Sequence, residues 1–295
     1  MKRFNLFGLS VLADIPLGAT CTENKAPDLV IKEGLVPLVM PSQMTRLTPC
    51  VAHFGEQLWY RIPGLIRVQL KPPNQIIWFE EKVLLKELVS ELLLETLIPT
   101  VLQSNRYIVR SGFGLCNKEQ GLLVIGCSQA TLSKASTTLV DSGLQFLCDG
   151  LCAAQQCSDG SWDVYPGIPR IRYLNTRKGE ITYKARRLRD HVGIYIADAL
   201  EHFSSEPKPL KGILFVTYNE GKEETSITSL KGLDRLQFFN TGRTLLDTEY
   251  KINSKAINFR DWAELSKSVP FFTLNIIEED NQTQSLVAAI SEILA

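Results

Sequence analysis

The 295-residue chain has no apolar run near the roughly 18 residues that a helix needs to cross a bilayer. It has no excess of charge, with 32 Lys and Arg against 32 Asp and Glu. It also lacks a fixed-period repeat and a low-complexity tail. The first absence argues against a membrane-spanning helix. The second removes the global attraction to nucleic acid or anionic membranes and leaves only local patches to consider. The third excludes solenoids and disordered arrays. Paired cysteines are missing too: Cys21, Cys50, Cys116, Cys127, Cys148, Cys152 and Cys157 are odd in number and scattered, which opposes a disulfide framework and fits a reducing, cytoplasmic compartment. Cys148, Cys152 and Cys157 form the closest group, but no second tight pair or neighbouring histidine completes a zinc set. They read as small apolar residues. The amino terminus, MKRFNLFGLSVLADIPLGATC, has two basic residues before an apolar stretch, but Asp14 and Pro16 interrupt it. It reads as a first strand and not as an export signal.

What is present is ordinary for a globular chain of one large or two ordinary domains: 44% hydrophobic and 22% charged residues. Alternation and turn residues predict strands at Phe4 to Leu12, Leu29 to Ile31, Leu58 to Ile62, Leu65 to Leu70 and Gln75 to Phe79. EEKVLLKELVSELLLETLI follows, with Leu84, Leu88, Glu91, Leu92 and Glu95 at helical spacing and a stop or kink expected at Pro99. A second unit is expected from Asn105. RYIVRSG, GLLVIG, LQFLCDG, IRYLN, GEITYKA, GILFVTY and FFTLNII read as strands. Leu132 to Val140, LKGLDRLQFF and SLVAAISEIL read as helical, and SSEPKPLKG as a surface connection. The fold class expected is α/β, with a small amino-terminal α/β unit over 1–104 and a core over 105–295.

The stretch LLVIGCSQATLSKAS begins like a phosphate-binding loop: an apolar strand, a glycine, then a helix-compatible run. Counted from Gly126, the positions that hold Gly, Lys and Ser or Thr in such a loop are Thr131, Leu132 and Ser133. With VDSGLQFLCDG after it, the segment resembles the HPr kinase/phosphorylase-like family of P-loop kinases and its relatives in bacterial peptide-maturation clusters. Members carry a loop of the form G-x-S-G-x-G-K-S-T, a helix, a glycine, and a strand ending in two aspartates. Gly126, Ser128 and Ser133 match the loop, Gly143 the later glycine and Asp149 the first aspartate; Gly150 stands at the second. VRSGFG resembles a family segment in which Arg110 replaces a histidine, and DVYPGIPRIRYL resembles a Pro-Gly-x-Pro-x-x-Arg-Leu region. The likeness extends over nearly the whole chain and implies an HPr-kinase-like P-loop core.

The departures bear on chemistry. Leu132 supplies neither charge nor donor where lysine would neutralise phosphate. Gln129 and Thr131 replace glycines that let phosphate approach the backbone. Lys134, two positions on, either bends back as a substitute cation or is a solvated helix charge. Arg110 either binds phosphate or pairs with Asp149. Asp149 would be the hydroxyl-deprotonating base of an active member, from the end of a core strand, or a retained structural carboxylate. Ser128 and Ser133 would hold phosphate, and Ser133 Mg²⁺, or simply cap the helix. Cys127 and Cys148 lack a histidine-base motif for thiol chemistry.

From Arg170 to Arg189 run eight basic residues, Arg170, Arg172, Arg177, Lys178, Lys184, Arg186, Arg187 and Arg189, against the single acid Glu180. The readings are a solvated hairpin, a surface for an anionic protein or peptide, or, disfavoured by the neutral chain, nucleic acid. The leading functional expectation is a catalytically degenerate, kinase-like scaffold or partner-binding subunit in peptide maturation. It needs no cofactor, binds a peptide or protein partner and not a membrane, and leaves homo- or hetero-oligomers open. The alternative is an atypical ATP- or pyrophosphate-dependent kinase acting on a peptide or protein hydroxyl, with ATP and Mg²⁺ as cofactors. A third class, a small-molecule enzyme in a remodelled cleft, stays open.

Overall fold

The computed structural model describes residues 1–17, 25–40, 42–55, 57–71, 74–83, 86–127, 131, 135, 138–174, 185–187, 194–198, 200–218, 226–242, 254–276 and 282–295. The fold is mixed α/β, and the chain separates into two compact units, one holding Met1–Val101 and the other Leu102–Thr244 with Asn253–Ala295.

The first unit is built on an eight-stranded sheet, ordered β1 (Lys2–Leu6), β2 (Leu9–Ala13), β3 (Leu29–Glu33), β8 (Gln75–Glu80), β7 (Ile66–Lys71), β6 (Gln57–Ile62), β5 (Val51–Phe54) and β4 (Thr45–Thr48). The expected single strand over Phe4 to Leu12 is a hairpin. Leu6 pairs with Leu9, and Phe7 and Gly8 turn the chain at φ of 52° and 78°, the signs a two-residue primed turn requires. One sheet face buries Val68, Leu70, Ile76 and Trp78. The other buries Ala52, Trp59 and Ile77 beneath a strap in which Val36 and Met44 face inward. Trp59 Nε1 donates to Pro37 O at 3.2 Å, fixing that strap. The leucine-rich segment forms α1 (Lys86–Glu95) and α2 (Leu97–Ser104). Pro99 does not end the helical run, because it is the third residue of α2, where backbone N–H groups have no partner within the helix to lose.

The second unit has a seven-stranded sheet: β9 (Ile108–Cys116), β10 (Gly121–Ile125), β11 (Gln145–Gln156), β12 (Trp162–Tyr165), β16 (Lys208–Tyr218), β17 (Ser226–Leu230) and β18 (Phe271–Ile276). β10 pairs with β9 and, in parallel, with β16, while β12 returns to β16 through Val164↔Lys208. Five strands therefore close on themselves, and β18 and β17 extend the sheet. A smaller sheet has β13 (Arg170–Leu174), β15 (Ile194–Asp198) and β14 (Ala185–Arg187) in that order.

Side-chain alternation makes the large sheet the middle of three layers. On one face Phe113, Leu122, Val124, Leu214, Val216 and Leu274 pack with Ala135 and Leu139, and with Leu286, Ile290 and Ile293 of the terminal helix α4 (Gln282–Leu294). On the other, Phe215 and Phe271 meet Trp262 of α3 (Ser254–Ser268), with ring centroids 6.3 and 5.3 Å away. Phe215 also stacks on Phe238, at 4.4 Å, from a 3₁₀ helix, Gly232–Asn240. The apolar period in LKGLDRLQFF thus resolves as a 3₁₀ segment.

Candidate functional site

The loop after β10 begins at Gly126, with φ of 84°. A Cβ built there would stand 2.5 Å from the carbonyl oxygen of Val216 on the adjoining β16. The space that this glycine leaves open is therefore filled by the protein's own backbone. Cys127 follows, half-buried against the core. Ser128, Gln129, Leu132, Ser133 and Lys134 lie outside the described residues. Thr131, Ala135 and Leu139, spaced by one helical turn, are all buried, so the position aligned with the third glycine of that loop form faces the interior.

Gly143 has a structural explanation as well. It sits at φ 84°, its N–H donates to Val140 O at 2.8 Å, and the next N–H, of Leu144, donates to Leu139 O at 3.2 Å. This pair of bonds is the Schellman closure of a helix carboxyl end, which needs a residue free of Cβ strain in the left-handed region.

Asp149 is buried, with 6% exposure. β11 runs on to Gln156, so Asp149 lies within a strand and not at its end, which corrects the sequence expectation. It stands opposite Phe113, whereas Arg110 stands opposite Cys152. Three residues of offset along an antiparallel pair place Asp149 and Arg110 on opposite faces of the sheet. Packing agrees with that register. Phe113 belongs to the core under α4, while the Arg110 guanidinium lies 4.3 Å over the Trp262 ring and 5.7 Å from that of Phe239. Arg110 Nη1 donates to Val109 O at 2.7 Å and Nη2 to Phe239 O at 3.1 Å. At 4% exposure this arginine works as a buried strut joining β9, the 3₁₀ helix and α3. The aromatic residues that hold it, Phe239 and Trp262, had no part in the sequence-based site; the adjacent Phe238 and Phe239 were a readable signal only of burial.

The chain after the 3₁₀ helix closes the same corner. Ser111 N donates to Gly242 O at 2.5 Å, and a Cβ on Gly242 would meet Ile125 Cγ2 at 2.5 Å and Ser111 O at 2.8 Å. The backbone of 239–242 is thus seated directly against the strand ends that lead into the loop.

Of the basic segment, Arg170 is buried, with 8% exposure. It is not part of an open docking face, as the sequence reading had it: β13 emerges from the core, where Ile171 is 1% exposed. Arg172, Ile196 and Arg186 form one cross-strand row of the small sheet, and Tyr173, Tyr195 and Arg187 the next. Arg177, Lys178, Lys184 and Arg189 lie outside the described residues.

Burial pushes the thiols of Cys116 and Cys157 above their ordinary values, away from the thiolate that a nucleophile needs. Among the described residues no group of three or more His, Cys, Asp or Glu side chains could hold a metal ion, and no helix is long and apolar enough to cross a membrane. A cleft of about 470 Å³ opens in the first unit, lined by residues that include Lys2, Phe4, Asp14, Ile15 and Lys86. The Asp14 carboxylate is tied to Trp78 Nε1 at 2.9 Å and to Glu33 N at 2.5 Å, so it braces the sheet and is not poised as a base.

No family model matches the chain, and no curated protein matches it. Among solved structures the chain is similar to the HPr(Ser) kinase/phosphatase from Coxiella burnetii, with 10% identity and a TM-score of 0.33 over 62% of this chain and 94% of that one.

Proposed function

We propose that the chain is a catalytically degenerate, kinase-like protein whose work is to bind a peptide or protein partner, in the setting of peptide maturation. The observation that carries the reading is the engagement of Arg110. In the sequence it was a substitute for the cation lost at Leu132; its guanidinium is stacked on Trp262 and bonded to two backbone carbonyls. A guanidinium so engaged can reach a phosphate only by giving up these contacts, and a buried arginine stripped of its partners is costly.

On this reading the chain holds neither Mg²⁺ nor ATP, since Leu132 supplies no charge where a lysine would meet phosphate. The room beside Gly126 is taken by Val216 O, Thr131 is turned to the core, and the second acid of the family pattern is Gly150. Asp149, buried on the face away from Arg110, is retained as a structural carboxylate. The run of eight basic residues from Arg170 to Arg189 against the single acid Glu180 supports recognition of an anionic segment. Incubation of the purified protein with radiolabelled ATP, Mg²⁺ and candidate peptide acceptors tests the reading: no label should pass to any acceptor. Transfer that disappears in Asp149→Asn but persists in Lys267→Ala, a surface control, would establish the atypical kinase instead.

A further inference from the structure

The cleft of about 470 Å³ in the first unit opens at the open end of the β1–β2 hairpin. Strand pairing builds its floor. Lys2 stands opposite Ala13 and Phe4 opposite Val11, and alternation puts Lys2, Phe4 and Ala13 on one face. Phe4, Ala13 and Ile15 close the bottom, each at most 3% exposed, while Met1 and Pro16 form exposed walls. A concavity of this size, mostly apolar with a few polar groups, is what a small-molecule site requires. The charges in it are Lys2, Lys86 and Asp14. Both oxygens of the Asp14 carboxylate already accept from N–H donors, Oδ1 from Trp78 Nε1 at 2.9 Å and Oδ2 from Glu33 N at 2.5 Å. Lys86, the first residue of α1, lies with Nζ 5.9 Å over the Trp78 ring and donates to the backbone carbonyl of Asp14 at 3.3 Å, which occupies one of the three donors of an ammonium. Lys2 is exposed and has no hydrogen-bond or ion-pair partner among the described residues.

We propose that this cleft binds a small carboxylate with an apolar body, its anionic head at Lys2 and Lys86 and its carbon chain against Phe4, Ala13 and Ile15. Two ammoniums and one carboxylate leave the lining one charge positive. A monoanion neutralises that balance and a dianion overshoots it. A cation of the same shape meets two like charges, and the one acid that could receive it has both oxygens engaged. The apolar floor selects for a carbon chain over a bare anion, because burying that chain removes apolar surface from water. Every group named belongs to the first unit, so the inference depends neither on the loop at Gly126 nor on the basic segment.

Isothermal titration of the full chain with hexanoate tests it. Saturable one-to-one binding is expected, with none for hexylamine. Lys2→Glu, a charge reversal at an exposed position, should weaken hexanoate binding about tenfold and leave the melting temperature unaltered. Bound hexanoate should also slow acetylation of Lys2 and Lys86 by an activated acetyl ester, read residue by residue in a mass spectrometer, while the exposed Lys267 reacts at its usual rate. No saturable heat with hexanoate, equal binding of hexylamine, undiminished affinity in Lys2→Glu, or protection that misses both lysines would each overturn the proposal.

Discussion

Replacing Arg110 by alanine removes a guanidinium from between aromatic rings and leaves two backbone carbonyls without their donor. The expected loss is about 2–4 kcal/mol, read as a lower urea midpoint. Arg110→Lys should recover only part of it, since an ammonium lacks the planar face that stacks on Trp262. If instead Arg110→Ala left stability unchanged, the strut assignment would fail. Gly126→Ala should lose about 1–3 kcal/mol through the left-handed backbone and the clash with Val216 O; full stability in this variant would mean that the glycine is not held by packing. Glu81 titrates in a predictable direction. It accepts from Arg61 at 2.7 Å and from the Gly64 N–H at 2.8 Å, and the arginine bond holds its carboxyl below the ordinary value of 4.5. A depressed carboxyl contributes stability above its unfolded pKa that is lost as pH falls through the folded one. Glu81→Gln should therefore be less stable than wild type at pH 7, and the gap should close as pH falls through the depressed value of the folded carboxyl. A gap that persisted below that value would rule out the charged pair as its source. At this scale the sequence exposed residue identity but not direction: the three-residue offset that separates Arg110 from Asp149 depends on a strand register that neither residue encodes alone.

Among the elements, α4 completes one face of the large sheet. Ile290, with no exposure, lies among Leu214, Leu274 and Leu286. Ile290→Ala is expected to lower stability by about 2–5 kcal/mol, measured by thermal or urea unfolding; a loss near zero would mean that the helix does not cap that face. This helix was legible in SLVAAISEIL because its apolar period and its burial coincide, and β6, β7, β8, β10 and β18 were legible for the parallel reason in strands. The hairpin of β1 and β2 was hidden because its turn places Phe7, a bulky residue, at positive φ, where sequence reasoning looks for asparagine or glycine. Strands β4 and β5 were missed because TRLTPCVAHF carries little alternation and a proline between them. Pro99 looked like a stop because its place in the first turn of a new helix shows only once the break at Thr96 is known.

The molecule comprises a unit with a mixed eight-stranded sheet and a three-layer unit in which Gly126, at the start of the loop after β10, stands against the backbone of Val216. The phosphate-loop pattern was readable in the spacing from Gly126 to Ser133. What was not readable was the other use found for its neighbours: Gly126 and Gly242 admit close backbone approach, Gly143 caps a helix, and Arg110 stacks on aromatics. All four could as well have marked a ligand site. The central claim, that no cation replaces the one missing at Leu132, is a claim about binding and can be measured as binding. Isothermal titration of the purified chain with ATP in the presence of Mg²⁺ should give no saturable heat beyond dilution. A one-to-one isotherm with a dissociation constant in the micromolar range would contradict the account.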